Sequence, residues 1–276
     1  MIQNPFSYTA PDSIAEAFSL LSKSGSEVFT GDQAFIGNTK TGHARPSTVV
    51  SLRNIPGLNS IIQHGDQLII GSSVSFSAML ADAAIGSVPV LVEALRAIKD
   101  PHLKNHSNVG GALYHRSTSH GPLLAALLSL DASVSLSDPW GDKNITLENY
   151  LTAGSGQGEI IKSVTLTINR TAAGSFRHID YLKVGEIVCG AAVVLATKGE
   201  TISKISVAAC GCVSIPVRLR NLENSLTGVK VSRENIEAAL HELPTDELTL
   251  SNVNISNPSY LFHLLKVLIK RAVLKS

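Results

Sequence analysis

The sequence predicts an α+β fold built in two parts, with a boundary near residue 165. In the first part, short apolar strand patterns alternate with helical patterns, whereas from about residue 158 strand-like runs follow one another and two helices close the chain. The composition agrees with an ordered globular protein, because 44% of the 276 residues are hydrophobic and only 16% are charged. A chain of this length can bury one large core or two modest ones.

The first part opens with a helix and three short strands. The stretch "PDSIAEAFSLLSKSG" (11–25) predicts an amphipathic helix that Asp12 or Ser13 caps and Gly25 ends. A glycine-containing loop is predicted after the first strand. Strands are predicted at residues 27–31, 47–52 and 67–73.

Helical patterns return before a polar stretch that carries two adjacent glycines. "FSAMLADAAI" (76–85) and "VPVLVEALRAI" (88–98) predict helices, and "KNHSNVGG" (104–111) predicts a loop. "PLLAALLSL" (122–130) is apolar on nearly every face, which predicts a buried helix. "ASVSLSD" then predicts a strand and "ITLENYLTA" a short helix.

The second part reads as an antiparallel sheet followed by helices. Strands are predicted in "EIIKSVTLTINR" (159–170), "GEIVCGAAVVLATKG" (185–199) and "TISKISVAACGCV" (201–213). Turns are predicted at Gly174 and at Lys198-Gly199. Two helices, at 232–244 and 257–276, complete the chain, and the last has lysines in its final turn.

Charge and composition argue against several classes of partner. The net charge of +1 and the 5% aromatic content give no basis for binding nucleic acid or an anionic membrane. The N-terminus lacks a basic region followed by an apolar core, and the longest apolar run (187–196) is about half a membrane span. We therefore expect no membrane span and a cytoplasmic location.

The cysteines and histidines do not form a recognisable catalytic or metal site. Three cysteines are too few for a disulfide framework and fit a reducing compartment, and Cys210-Gly-Cys212 lacks the second pair that a structural zinc needs. Histidines at 115 and 120 flank two serines, but no acid follows at a usable spacing for a nucleophilic triad. We predict neither a metal site nor a catalytic residue on this chain.

Two glycine-containing loops are the candidate binding elements. "FTGDQAFIGNTK" (29–40) follows a strand, and "NVGGAL" (108–113) precedes a helix. Glycine lets backbone N–H groups approach an anion, and a helix N-terminus adds a favourable dipole, so the two loops together could hold a pyrophosphate. Taken alone, each loop favours a plain turn over an anion site, and neither matches the Rossmann or P-loop pattern.

The order of these segments resembles the FAD-binding medium subunit of the molybdenum hydroxylases, the group of xanthine dehydrogenase, carbon monoxide dehydrogenase and aldehyde oxidoreductase. "PFSYTAPDSIAEAFSLL" is similar to that family's P-x-S-x-x-E-A-x-x-L-L helix, and "EVFTGDQAFI" stands where it has an A-G-G-T-D-type loop. "QLIIGSSVSFSAML" is similar to its I-G-A-x-(V/T)-T segment, and "PHLKNHSNVGGAL" stands at its Q-(I/V)-R-N-x-(A/G)-T-I-G-G-N-L. "RLRNLENSLTG" is similar to its A-x-x-x-E-x-x-L-x-G. No single motif is specific, but their shared order along nearly the whole chain is.

The resemblance implies a fold and a cofactor. FAD would lie between two small α/β subdomains of the PCMH type, at about 1–55 and 56–165. Residues 166–276 would form an antiparallel sheet with helices like the C-terminal domain of carbon monoxide dehydrogenase flavoproteins. The resemblance places the following residues at the cofactor: Phe29, Thr30, Gly31, Asp32, Gln33, Ala34, Phe35, Asn108, Val109, Gly110, Gly111, Ala112, Ile161 and Arg177.

The resemblance also implies a role and partners. The chain would be an oxidoreductase subunit that relays electrons through FAD to an external acceptor such as NAD or oxygen. Molybdopterin and two [2Fe-2S] clusters would reside on a separate large subunit and a separate small subunit, in a dimer of heterotrimers. This chain has neither the cysteines for those clusters nor a molybdopterin domain.

Several departures from the family pattern fall within the expected site. Asp32 replaces the second glycine of A-G-G, Ala112 replaces the asparagine of T-I-G-G-N, and the acidic residue expected near His120 is missing. Arg177 stands where the family usually has a lysine. These changes leave two alternatives open: a structural or assembly subunit that has lost flavin, and a stand-alone flavin oxidase.

Overall fold

The computed structural model describes residues 5–154, 156, 158–182, 186–243, 248–252, 254–255 and 257–276. The strands are β1 (Ser7–Thr9), β2 (Ser26–Phe29), β3 (Thr48–Ser51), β4 (Ile61–His64), β5 (Gln67–Gly71), β6 (Ser133–Asp138), β7 (Gly141–Thr146), β8 (Ile160–Thr167), β9 (Ala172–Asp180), β10 (Ile187–Lys198), β11 (Thr201–Cys210) and β12 (Val217–Arg218). The helices are α1 (Ile14–Leu21), α2 (Gln33–Thr41), α3 (Phe76–Ala81), α4 (Ala83–Gly86), α5 (Pro89–Ala97), α6 (Pro101–His106), α7 (Val109–His115), α8 (Gly121–Ser129), α9 (Leu147–Ala153), α10 (Arg220–Leu226), α11 (Arg233–His241) and α12 (Pro258–Lys275), with a 3₁₀ turn at Thr118–His120.

The chain forms two compact units that are discontinuous in sequence. The first unit contains residues 1–82, 100–116 and 133–166, and the second contains residues 83–99, 117–132 and 167–276. The sequence-based limits, which divide the chain at about residue 165 and the first part near residue 55, stay a prediction about the family domains.

The first unit holds two sheets. A three-stranded sheet of order β1-β3-β2 is parallel at both pairings, and α1 packs on it through Ala17 and Leu21. A five-stranded sheet has the order β4-β5-β8-β6-β7, with antiparallel β4/β5, β6/β7 and β6/β8 pairs. Ser13 caps α1 by accepting a hydrogen bond from the Glu16 N–H at 3.2 Å, which confirms the predicted helix start.

The second unit is a four-stranded antiparallel sheet, β12-β11-β10-β9, with helices on both faces. On one face, Ala191, Val193 and Leu195 join a cluster with side chains of α10, α11 and α12. On the other face lie α5 and α8, and every residue of α8 is buried. The predicted buried helix and the α+β class are therefore confirmed.

Three local predictions were wrong. Residues 33–41 form α2 rather than a loop, because Asp32 caps a helix that continues past the glycine at 37. Residues 101–106 and 109–115 form α6 and α7, where the polar composition predicted a loop. The predicted turn at Gly174 lies inside β9, where a Cβ would sit 3.1 Å from the Val90 Cβ of α5, so the glycine allows close packing.

The strand predicted at 159–170 exists as β8 but belongs to the five-stranded sheet of the first unit, not to the C-terminal sheet. The predicted turn at Lys198-Gly199 joins β10 to β11, with Gly199 at φ +63°. The predicted helix at 232–244 is observed as Arg233–His241, and its last predicted residue lies outside the described residues. Within the described part of the chain, no helix combines the length and the apolar character needed to cross a bilayer.

Candidate functional site

The first glycine loop leads from β2 into α2. Gly31 makes the turn with φ +96°, a left-handed conformation that a side chain would strain. Asp32 follows as the N-cap, and its Oδ2 accepts a hydrogen bond from the Ala34 N–H at 2.8 Å. Its side chain is fully buried. The carboxylate thus faces the positive end of the α2 dipole, which favours a negative charge there.

The second loop starts α7, and the N–H groups of this helix start all donate within the protein. Asn108 caps the helix by accepting from the Gly111 N–H at 2.8 Å. The Val109 and Gly110 N–H groups donate to the carbonyls of Val74 and Ser72 at 3.2 and 2.7 Å. The N–H of Ala112 donates to the carbonyl of Asn108 at 3.0 Å. The start of α7 therefore has no backbone donor left for an anion.

The two loops contact each other directly. The Asn108 Nδ2 donates to the Thr30 carbonyl at 2.6 Å. A Cβ at Gly110 would lie 3.1 Å from the Thr30 Cγ2, and one at Gly111 would lie 2.2 Å from the Asp32 Cβ. The structure thus brings residues 30–32 and 108–111 into contact, and the placement of the cofactor at these loops stays a prediction. The close approach of Asp32 explains the glycine at 111.

The first loop, in contrast, retains free backbone donors. The N–H groups of Gly31 and Gln33 donate to no acceptor among the described residues, and both residues are only partly buried. Gln33 is the first residue of α2, where N–H groups point out along the helix axis. A helix N-terminus with free N–H groups is a favourable site for phosphate.

Unpaired hydroxyl groups lie beside the same loops. The buried Oγ atoms of Thr30, Ser72 and Ser73 have no hydrogen-bond partner among the described residues. The Ser72 Cβ would lie 3.1 Å from a Cβ on Gly110, so the Ser72 and Thr30 side chains both adjoin the start of α7. Buried hydroxyls are normally satisfied, and these fit the donor needs of a diphosphate or a polyol chain. Sequence reasoning missed Ser72 and Ser73 because no spacing signal distinguishes them.

Phe35 fills the interior between α2 and α7. Its ring centroid lies 5.1 Å from that of Phe29 and 5.9 Å from that of His115. Burial lowers the pKa of His115, and the nearby Asp32 carboxylate opposes that shift. The Phe35 ring therefore packs against side chains from β2 and α7, and its predicted place at the cofactor stays a prediction.

Ile161 lies in β8 of the first unit and is fully buried. Its N–H donates to the Tyr114 hydroxyl at 2.8 Å, and that hydroxyl donates to the Glu159 carbonyl at 3.1 Å. Burial raises the pKa of Tyr114, so the phenol keeps its proton. Tyr114 therefore fixes the start of β8 relative to α7, a role that the sequence did not indicate.

Arg177 lies in β9 of the second unit, whereas the other predicted site residues belong to the first unit. Its Nη1 is 3.5 Å from the Glu93 Oε2, and the same oxygen accepts from the Phe176 N–H at 2.8 Å. Burial alone would raise the pKa of Glu93, but Lys275, the Phe176 N–H and Arg177 together lower it. The groove around Arg177 has a volume of about 360 Å³.

Among the described residues, no group of three or more His, Cys, Asp or Glu side chains could hold a metal ion.

Two family profiles match most of the chain. Residues 4–166 match the FAD binding domain in molybdopterin dehydrogenase, and residues 186–276 match the CO dehydrogenase flavoprotein C-terminal domain. The nicotine 6-hydroxylase medium subunit of Paenarthrobacter nicotinovorans is 28% identical over 98% of this chain and 96% of its own length. The carbon monoxide dehydrogenase medium chain of Hydrogenophaga pseudoflava is 25% identical over 87% of this chain and 86% of its own.

Solved structures share the fold. A chain of carbon monoxide dehydrogenase from Hydrogenophaga pseudoflava superposes with a TM-score of 0.92 at 22% identity, covering 99% of this chain and 97% of that one. A chain of quinoline 2-oxidoreductase from Pseudomonas putida 86 superposes with a TM-score of 0.90 at 22% identity, covering 100% and 98%. At 22% identity these structures establish the fold alone. The assignment of FAD as the cofactor rests on the family profile that matches residues 4–166.

Proposed function

The chain belongs to the family of FAD-binding medium subunits of molybdenum hydroxylases, and on this premise we propose that it binds FAD and relays electrons to an external acceptor. The observation that carries the proposal is that the Gly31 and Gln33 N–H groups donate to no acceptor in the described part of the chain, on the loop that the resemblance places at the cofactor. Bound FAD supplies the redox chemistry, and the protein supplies position and electrostatics.

In this proposal, residues 29–35 hold the diphosphate of FAD. The Gly31 and Gln33 N–H groups donate to it, and the Thr30 hydroxyl is an additional donor. Asn108 and residues 109–112 act indirectly, because they support the first loop through the contacts of Asn108 with Thr30 and of Gly111 with Asp32. Ile161 of the first unit is proposed to lie at the ring system.

We further propose that the chain works in the cytoplasm with two partner subunits. Curated relatives are named as the medium subunit of nicotine 6-hydroxylase and as the medium chain of carbon monoxide dehydrogenase. The partners are an iron–sulfur small subunit and a molybdopterin large subunit, arranged as a dimer of heterotrimers. Co-expression followed by size-exclusion chromatography and metal analysis measures both the composition and the stoichiometry of the complex.

The experiment that tests the cofactor proposal removes one N–H group without disturbing the helix. In the Gln33→Pro variant, proline occupies the first position of α2, where it is well tolerated, and Asp32 already has the extended backbone (φ −82°, ψ 143°) that precedes proline. A hydrogen bond to a charged group is worth about 1.5–3 kcal/mol, so FAD affinity should fall roughly 10- to 100-fold. Flavin fluorescence during titration measures the affinity.

The matched control is Gln33→Ala, which removes the side chain and keeps the N–H, and should bind FAD nearly as well as the wild type. Riboflavin, which lacks the diphosphate, should bind both variants alike. Equal FAD affinity in the proline and alanine variants would contradict the role of the Gln33 N–H. A folded wild-type chain without FAD affinity would contradict the function itself.

The buried Asp32 carboxylate and the fully used N–H groups of α7 favour the alternative function, a flavin-free assembly subunit. That alternative predicts a colourless chain that still captures both partners.

A further inference from the structure

The second unit contains two buried thiols that face each other. The Cys189 Sγ lies 3.3 Å from the Cys212 Sγ, and both residues are completely buried in the cluster between the sheet and helices α10 to α12. The third cysteine, Cys210, belongs to the opposite face of the sheet. Its Sγ lies 2.8 Å from where a Cβ on Gly190 would be, and its Cβ lies 3.3 Å from that position on Gly121.

The backbone holds the two facing thiols in place. Gly211 turns the chain after β11 with φ +76°, and a Cβ there would lie 2.6 Å from the Ile187 carbonyl oxygen. The Asn252 Nδ2 donates to the carbonyls of Val188 and Gly211 at 3.3 and 2.9 Å, and these residues directly precede the two cysteines. One side chain thus ties together the two segments that carry Cys189 and Cys212.

We propose that Cys189 and Cys212 are an oxidisable dithiol that a peroxide converts to an intramolecular disulfide in the folded protein. In the first step, one thiol reduces hydrogen peroxide and becomes a sulfenic acid, with release of water. In the second step, the neighbouring thiol attacks the sulfenic sulfur, the S–S bond forms and a second water leaves. Two electrons and two hydrogens pass from the thiols to the peroxide in total.

The environment sets the rate and the selectivity of this reaction. The hydrogen bond with Cys212 and burial both raise the pKa of Cys189, so little thiolate is present and the first step is slow. The second step is fast, because the partner sulfur is already in contact. Cys210 has no thiol in hydrogen-bond contact among the described residues, so its oxidation would stop at sulfinic or sulfonic acid. The pair therefore responds to sustained peroxide.

The test uses the full chain, reduced, desalted and then treated with hydrogen peroxide, with circular dichroism recorded to show that it stays folded. Non-reducing tryptic digestion followed by mass spectrometry should show peptides 184–198 and 205–218 joined. Because the second peptide contains both Cys210 and Cys212, the variants assign the bond. Cys210→Ser should form the link as the wild type does, whereas Cys189→Ser and Cys212→Ser should not.

The crosslink should also raise Tm by several degrees, because it closes a loop in the unfolded chain. This rise should be reversed by dithiothreitol and absent from Cys212→Ser. Loss of the link in Cys210→Ser, with retention in Cys212→Ser, would overturn the proposal. Free or overoxidised thiols in a folded wild type after prolonged peroxide treatment would overturn it as well.

Discussion

Substitution of Gly111 by alanine tests whether the two loops of the first unit are interlocked. The new Cβ would lie 2.2 Å from the Cβ, 2.4 Å from the Cγ and 2.8 Å from the Oδ1 of Asp32, whereas ordinary contacts start at 3.4 Å. One loop must therefore retreat by about 1.2 Å, which also stretches the 2.6 Å hydrogen bond from Asn108 to Thr30.

The expected cost follows from two opposing effects. Overpacking of this kind costs about 1–3 kcal/mol, and replacing a helical glycine by alanine returns up to about 1 kcal/mol. We expect Gly111→Ala to lower the free energy of unfolding by about 1–2 kcal/mol without any ligand. Gly110→Ala is the matched control, because its Cβ meets its neighbours only at 3.0–3.1 Å and the change should be close to neutral.

A second substitution, at Asp32, tests whether the clash with this side chain causes the loss of stability in Gly111→Ala. Asp32→Gly removes the clashing atoms and, as glycine is a tolerable N-cap, costs only a few tenths of a kcal/mol by itself. The double variant should then be about as stable as Asp32→Gly alone, which gives a coupling energy of about 1–2 kcal/mol. Urea unfolding followed by circular dichroism measures all four proteins. The interlock would be refuted if the two substitutions changed the free energy of unfolding additively. It would also be refuted if the Gly111→Ala protein were as stable as the wild type.

Two further predictions concern the charged network of the second unit. Arg218 is almost fully buried and pairs with Glu223 at 2.6 Å and Asp131 at 2.6 Å. Arg218→Ala takes the nearest cation away from the buried Glu223 carboxylate and should cost about 3–5 kcal/mol by urea unfolding. The half-exposed Arg220, 3.4 Å from the same glutamate, is the control and should cost under about 1 kcal/mol; similar losses from both would contradict the argument. Burial alone would raise the pKa of Asp131, but Lys204 and Arg218 lower it, so its stabilisation is present above about pH 4 and is lost as the pH falls through the folded pKa. Asp131→Asn should therefore flatten the acid limb of a stability–pH curve measured by urea midpoints, and an unchanged slope would contradict this assignment.

The elements that the sequence predicted correctly have strong local patterns. α8 is apolar on all sides, and α1 has both a cap and a clear apolar stripe. β7, "GDKNIT", was missed because it is a polar, exposed edge strand whose order comes from pairing with β6. β9 was missed because a glycine such as Gly174 is typical of turns. In the structure Gly174 lies inside the strand, where the lack of a side chain leaves room for Val90.

The contact between the two candidate loops was predictable from the sequence, whereas their hydrogen bonding was not. The resemblance placed residues 29–35 and 108–112 at one site, and the structure brings them into contact. Which loop keeps free N–H groups depends on long-range acceptors, the carbonyls of Ser72 and Val74, that no local pattern reveals. Likewise, the need for glycine at 111 depends on the path of the chain at Asp32, nearly eighty residues earlier.

The discontinuous make-up of the units has a consequence for synthesis and truncation. Helix α8 is apolar on every side, yet the strands that cover it, β10 and β11, emerge from the ribosome only after the whole first unit has been made. Until then its leucines lack the strands that cover them in the folded protein. A fragment that ends near residue 166 would contain α5 and α8 without the sheet on which they pack, and one that starts there would contain the sheet without these two helices. We expect both fragments to aggregate. The second unit can fold only when the segments before and after residue 166 are present in one chain.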